Sequence, residues 1–358
     1  FLIGVLFFGL IIFLSNFIIL ISFLFIFLHD LFDNKGIKFG NLLNIAPDLE
    51  LIEIQNIREG ALNPFTFLNN CDSNTLATVI QLLCGRLDSA EITAITPIIA
   101  DFVKDARKAN YVDLQDLTDY LYSNPNSSAM KIGSLLNQNK DSKFGKLLFT
   151  RRRDIEPLYL PKEKSFIISF FGLPMPNESK SVDDYTAEER FTSAIIYLLC
   201  KKLREVLTEK SIIPTTLFID EAHMLFTSRD LTSVINEFLA LGRSLNVAVV
   251  LASQGMSHFP ANISQFIGNK FMFQSSLDEA TNFINRFDVS KNDPTKAIDR
   301  TNVITAAANL KTGQCFYIDH NNRSGFVHIV SNFDISLLTS NPLEKLHKQQ
   351  KQLQEMGQ

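Results

Sequence analysis

Residues 214–223 read Pro-Thr-Thr-Leu-Phe-Ile-Asp-Glu-Ala-His. Leu217, Phe218 and Ile219 form an unbroken apolar, β-rich run, the pattern of a strand buried on both faces, and two acids, Asp220 and Glu221, follow it directly. A strand of a parallel sheet brings its first polar side chains out at its C-terminal edge, where such sheets bind ligands. The acids therefore belong at the mouth of a sheet and not in its core. Acids that end a strand also commonly start the next helix, so these ten residues alone leave both readings open.

The residues that follow favour chemistry. Leu231, Val234, Ile235, Phe238 and Leu239 share one helical face, the helix stops at Leu241-Gly242-Arg243, and a second apolar run from Asn246 to Ser253 delivers Gln254 to its end. A strand, a helix and a strand joined by a right-handed crossover make the two strands parallel neighbours. Gln254 then emerges on the same edge as Asp220 and Glu221. That trio suits nucleotide hydrolysis: Asp220 orients the Mg2+ of Mg-ATP through water, Glu221 polarises the attacking water, and Gln254 senses the γ-phosphate or holds that water. For Gln254 the plain alternative is an exposed strand-end glutamine.

Leu-Phe-Ile-Asp-Glu-Ala-His (217–223), Leu-Gly-Arg-Ser-Leu-Asn-Val-Ala-Val-Val-Leu-Ala-Ser-Gln (241–254), Asn262-Ile263 and Asn269-Lys270-Phe271 together resemble the motor domain of conjugative-transfer ATPases. These are the TraC-like ATPases of type IV secretion, in the HerA–FtsK branch of P-loop proteins. Upstream, Leu31-Phe32-Asp33-Asn34-Lys35-Gly36 resembles their strand-end Asp-Pro-Lys-Gly segment, with Asn34 in the proline position. Asn63-Pro64-Phe65 and Phe144-Gly145-Lys146-Leu147-Leu148-Phe149 resemble two further segments of the family, although each also reads as an ordinary turn or loop. The resemblance runs, with gaps, from about Asp33 to Val330.

The resemblance implies an α/β fold: a RecA-like P-loop NTPase core with a mainly parallel sheet and an all-helical insertion. It divides the chain into an N-terminal part of the core (1–69), the insertion (70–140), the rest of the core (141–335) and a polar tail (336–358). It also implies ATP and Mg2+ as cofactors, with Asp33, Asn63, Pro64 and Phe65 at the nucleotide. Arg243 takes the position of an arginine finger acting on a neighbouring subunit, with Arg286 and Arg190 as other candidates and a helix-end role as the plain one. The implied assembly is a homo-oligomer, a hexamer, cytoplasmic and peripheral to the inner face of the membrane. Its partners are secretion or conjugation channel proteins and, in a translocase, DNA.

The chain nowhere contains Gly-x-x-x-x-Gly-Lys-Ser/Thr, the loop that holds nucleotide phosphates. Lys146 is no substitute, since it lacks the first glycine, the hydroxyl residue and a preceding buried strand. The expectation is a chain that starts just after such a loop, with a helix over Phe1 to Leu14 and, within Phe17 to Leu31, a strand ending near Asp33. Residues 1–28 admit a rival reading, because they carry no charge and exceed the ~20 residues that span a bilayer. Against a span, Ser15-Asn16 divides the run and no Lys or Arg flanks it before Lys35. A mistranslated or misassembled stretch is a third option. The functional alternatives are an FtsK/HerA-like DNA translocase and a catalytically dead scaffold anchored through residues 1–28.

Composition bounds the remainder. With 358 residues, 46% of them hydrophobic, the chain can bury a large core, and a net charge of −4 gives no global electrostatic reason to coat DNA. Cys71, Cys84, Cys200 and Cys315 lack metal-site spacing and read as reduced thiols. His223 reads as a neighbour of the acids or a helix-start residue and not as a metal ligand. Helical spacing marks Asn74 to Leu83, Ile92 to Ala106, Leu114 to Tyr122 and Ala129 to Leu136. Ser165 to Phe171 reads as a strand, and Thr186-x-x-Glu189 is a capping box opening a long helix. Residues 271–273 form a further strand, 278–287 a helix, and 315–319 with 325–330 a hairpin. Arg151, Arg152 and Arg153 read as a solvated loop.

Overall fold

The computed structural model describes residues 18–22 and 49–329, apart from 86, 107, 109–111, 153, 162–163, 177–179, 181, 210–214, 243, 245, 288–296 and 312. Its centre is a parallel sheet of five strands: β1 (Ile18–Ser22), β2 (Glu50–Glu53), β3 (Phe166–Ser169), β4 (Thr215–Asp220) and β5 (Val247–Leu251). They lie in the order β2-β3-β1-β4-β5. All four pairings are parallel. Every residue of β3 is buried, as are the first five of β4, which explains why both read as apolar runs without alternation.

Helices fill the space between strands. In the 70–140 region lie α1 (Ser73–Cys84), α2 (Ser89–Ala106), α3 (Leu114–Tyr122) and α4 (Ser127–Asn139). Side-chain caps start three of them: Asp72 accepts from Thr75 N at 2.7 Å, Asp113 from Asp116 N at 2.7 Å, and Asn126 from Ser128 N at 2.9 Å. α3 and α4 approach so closely that a Cβ on Gly133 would stand 2.5 Å from Tyr122 N. Beyond β3, α5 (Ala187–Glu209) buries Phe191, Ile195, Leu199, Leu203 and Val206, and packs on α1. Its capping box is closed in both directions, Thr186 N to Glu189 Oε2 at 2.7 Å and Glu189 N to Thr186 Oγ1 at 3.2 Å. α6 (Arg229–Leu241) links β4 to β5.

A second sheet follows. β6 (Lys270–Met272), β7 (Gln314–Ile318) and β8 (Ser324–His328) are antiparallel. α7 (Leu277–Phe287) and α8 (Ala297–Ala308) contribute with it to a separate apolar cluster containing Met272, Ala280, Phe283, Ile284, Phe287, Ala307, Phe316 and Ile318. The sequence marked the hairpin but neither α8 nor the separateness of this sheet.

The strand expected within 17–31 is there as β1, and its register sets Ser22 level with Asp220 at the edge of β4. Asp33 and the helix expected over Phe1 to Leu14 lie outside the described residues. A membrane-spanning helix through residues 1–28 does not fit a strand hydrogen-bonded between β3 and β4. Among the described residues, no helix is long and apolar enough to cross a membrane.

Candidate active site

The C-terminal edge of the parallel sheet gathers the acids. Ser22 pairs with both Ser169 and Asp220, so β3 and β4 end level on either side of β1. Glu221 then leaves β4 with φ 49° and ψ 46°, and a 3-10 turn, Ala222–Phe226, begins at once. A non-glycine residue in the left-handed region costs about 1–3 kcal/mol, which surrounding structure must over-determine. Two backbone bonds supply part of that constraint, Ala252 N to Ile219 O at 2.9 Å and Ala222 N to Ala252 O at 2.7 Å. They also carry the β4–β5 pairing past the end of β5 and lay Ser253 and Gln254 beside Glu221.

The Glu221 carboxylate is engaged at both oxygens. Oε1 accepts from Gln254 Nε2 at 2.8 Å. Oε2 lies 3.2 Å from His223 Nδ1. The Glu221 side chain is 19% exposed and that of His223 9%. Burial pushes the Glu221 carboxyl up, yet contact with His223 and Gln254 and the charge of His223 and His258 outweigh it and hold the group below the ordinary glutamate range. It is therefore a carboxylate at neutral pH. The His223 and His258 rings are 5.0 Å apart, and His258 Nδ1 is 3.2 Å from Ser253 Oγ. Asp220, half-buried, accepts from Glu221 N at 3.1 Å.

The structure thus brings Asp220, Glu221 and Gln254 together, with His223 beside them as expected. His258 and Ser253 were missed in the sequence; the one signal for them was a polar cluster in the loop after the second strand. Asn63, Pro64 and Phe65 belong to a short helical turn after β2. Asn63 is fully buried and caps a single helical turn, Pro64–Phe67, by accepting from Phe65 N at 3.3 Å, while Phe65 packs edge-on to Phe102 of α2.

Arg243 lies outside the described residues. Both other finger candidates are engaged by their own chain. Arg190 donates to Cys84 O at 3.2 Å and Asp183 O at 3.4 Å, and Arg286 to the carbonyls of Met256, Phe259 and Pro260. Arg151 and Arg152 pair with Asp119 and Asp154, as a solvated loop does. The cysteines are free; burial pushes the thiols of Cys71, Cys84 and Cys200 up to about 12 and that of Cys315 to about 11, so all four are un-ionised.

A family model described as an AAA-like domain matches residues 36–340. The protein YddE of Bacillus subtilis (strain 168), itself uncharacterized, is 24% identical over 280 residues, covering 77% of this chain and 32% of its own length. The chain thus spans about a third of that curated relative. Among solved structures, VirB4 of Thermoanaerobacter pseudethanolicus superposes with a TM-score of 0.63 at 12% identity, over 91% of this chain and 83% of that one. A looser likeness, with a TM-score of 0.42 at 12% identity, links it to the bacterial conjugative coupling protein TrwB, over 89% of this chain and 85% of that one.

Proposed function

This chain belongs to the AAA-like domain family, and on that premise we propose that it is an ATP-hydrolysing motor domain of a conjugative-transfer or type IV secretion apparatus. The observation that carries the proposal is the Gln254–Glu221 contact at the C-terminal edge of β4, one residue beyond Asp220. It places an ionised carboxylate, a polar amide and a second carboxylate where a parallel sheet takes its ligand. The fold shared with VirB4 supports the same reading.

In this reading Glu221 accepts a proton from the attacking water or polarises it, and Gln254 keeps the carboxylate oriented until the γ-phosphate competes for its amide. Asp220 would hold magnesium. The donor set fits, since magnesium takes one or two carboxylates and fills its other positions with phosphate oxygens and water. When bound, the ion neutralises phosphate charge. Arg243 from a neighbouring subunit supplies further charge, which makes the working form a homo-oligomer, a hexamer, set against channel proteins at the inner membrane face. Coupling of hydrolysis to substrate transfer or pilus assembly belongs to the same proposal.

The test uses the full-length protein. ATP hydrolysis should require magnesium, and Asp220→Asn should raise the magnesium concentration for half-maximal rate about tenfold or more while nucleotide binding persists. Hydrolysis that is absent in saturating Mg-ATP, or insensitive to chelation, would overturn the assignment.

A further inference from the structure

The loop that begins with Gln254 is held from outside its own sheet. Residues 255–260 connect it to a 3-10 turn at Ala261–Gln265, and Phe259 N donates to Met256 O at 3.2 Å within the loop. Other backbone groups of the loop go to α7. Glu279 Oε2 accepts from Met256 N at 2.6 Å, and its Oε1 from Ser257 Oγ at 3.4 Å. Arg286, two turns further along the same helix, donates to Met256 O at 3.1 Å, to Phe259 O at 2.8 Å and to Pro260 O. Gly255 permits the approach, since a Cβ there would meet the Glu279 carboxylate at 3.3 Å.

The same helix also builds the second core. Ala280, Phe283, Ile284 and Phe287 are buried in the cluster that holds Met272, Phe316 and Ile318 of the antiparallel sheet. Glu279 and Arg286, seven residues apart, are offset from that apolar set and grip the loop. α7 therefore gives its apolar residues to the second core, which Met256 of the loop also joins, while Glu279 and Arg286 hold the backbone of the Gln254 loop.

Resting on the reading of Gln254 and Glu221 as the hydrolytic pair, we propose that Glu279 and Arg286 are positioning residues, setting Gln254 against Glu221 and tying that contact to the antiparallel sheet. A loop shift of about 1 Å separates a 2.8 Å hydrogen bond, and misplacement on that scale is costly in rate. Movement of Gln254 toward a γ-phosphate is then delivered through the loop to α7 and the strands behind it.

The experiment is a double-mutant cycle on ATP hydrolysis by the full-length protein. Arg286→Ala and Glu279→Ala should each lower kcat about tenfold or more and leave KM for ATP within about threefold. On a Gln254→Ala background neither should lower kcat by more than about twofold, because the loop no longer carries the side chain it positions. Glu279→Gln, which keeps an acceptor for Met256 N, should recover at least about half of the parental rate. Effects that simply multiply with Gln254→Ala, or single variants at the parental rate, overturn the proposal. A Gln254→Ala protein with parental kcat would instead sink the hydrolytic reading of Gln254, and the positioning role with it. Should the alanine variants fail to melt cooperatively, Arg286→Met and Glu279→Met, which keep side-chain bulk and remove the donors and acceptors, run the same cycle.

Discussion

The two sheets of this molecule differ in how much of themselves they hide. β4 of the parallel sheet is buried along its length and exposes side chains only where it stops, at Asp220 and Glu221. β8 of the antiparallel sheet has four of its five residues exposed, including Phe326 and Val327. A strand covered on both faces has one place to put chemistry, its end, whereas a half-covered strand spreads polar and apolar groups along itself. On the proposed reading the buried sheet concentrates the chemistry and the open one supports it, with α7 and the Gln254 loop between them.

The strongest test of that division compares acids in the two sheets. Glu221→Gln should keep ATP binding and reduce turnover by about 10²–10⁴-fold, while Asp319→Asn in the β7–β8 turn should leave turnover within about threefold; steady-state ATPase of the full-length protein measures both. Equal losses would break the comparison. Next in size is packing. Leu217→Ala, at a fully buried position of β4, should cost about 2–5 kcal/mol, and Val327→Ala, at a position 37% exposed, under about 0.5 kcal/mol, by denaturant titration. Third, Thr186→Ala opens the capping box of α5, the helix that leads into β4, and should cost about 1 kcal/mol with no change in KM.

The smallest effects are in pH and have opposite signs. Burial pushes Asp319 up, but the Arg323 N–H and side chain and the Asn321 N–H outweigh it and hold its carboxyl below the usual range. Its folded value is depressed, so its contribution is present above the unfolded value and lost as pH falls through the folded one. The hairpin amides should then lose hydrogen-exchange protection in acid, and Asp319→Asn should abolish that dependence. Asp113, which caps α3 outside both sheets, goes the other way, because burial pushes it up to about 6. Its folded form binds the proton more tightly than its unfolded form, so this group favours the fold increasingly as pH falls from about 6 to about 4 and opposes it above. Asp113→Asn should therefore raise Tm at pH 7.5 by about 2–4 °C relative to the parent and lose that advantage near pH 4. A Tm difference constant with pH would show that the cap alone, and not its charge, matters.

Much of the core was legible because its signals are local. The run Leu217–Ile219 ending in two acids, the amphipathic face of Leu231 to Leu239 and the reciprocal Thr186 and Glu189 bonds all depend on residues within a turn or two of each other. The four helices between Asn74 and Leu136 announced themselves by period and by capping residues in the same way. Asn63 has a local reading of the same kind: Asn-Pro is a good helix start, and the structure uses it as one, with the side chain buried in the cap.

From the sequence alone came the elements themselves, their types, and the prospect that Asp220, Glu221 and Gln254 share an edge, because steric preference, hydrophobic period and crossover handedness act over short stretches of chain. Only the tertiary structure decided that β1 lies between β3 and β4, that Gln254 bonds Glu221 across 33 residues, and that Arg286 closes on carbonyls about 30 residues away instead of standing free. It also decided that β6, β7 and β8 form their own sheet over their own core. Strand order and long-range partners are set by which surfaces can be buried against each other at once, a property of the whole packed chain that no local pattern contains.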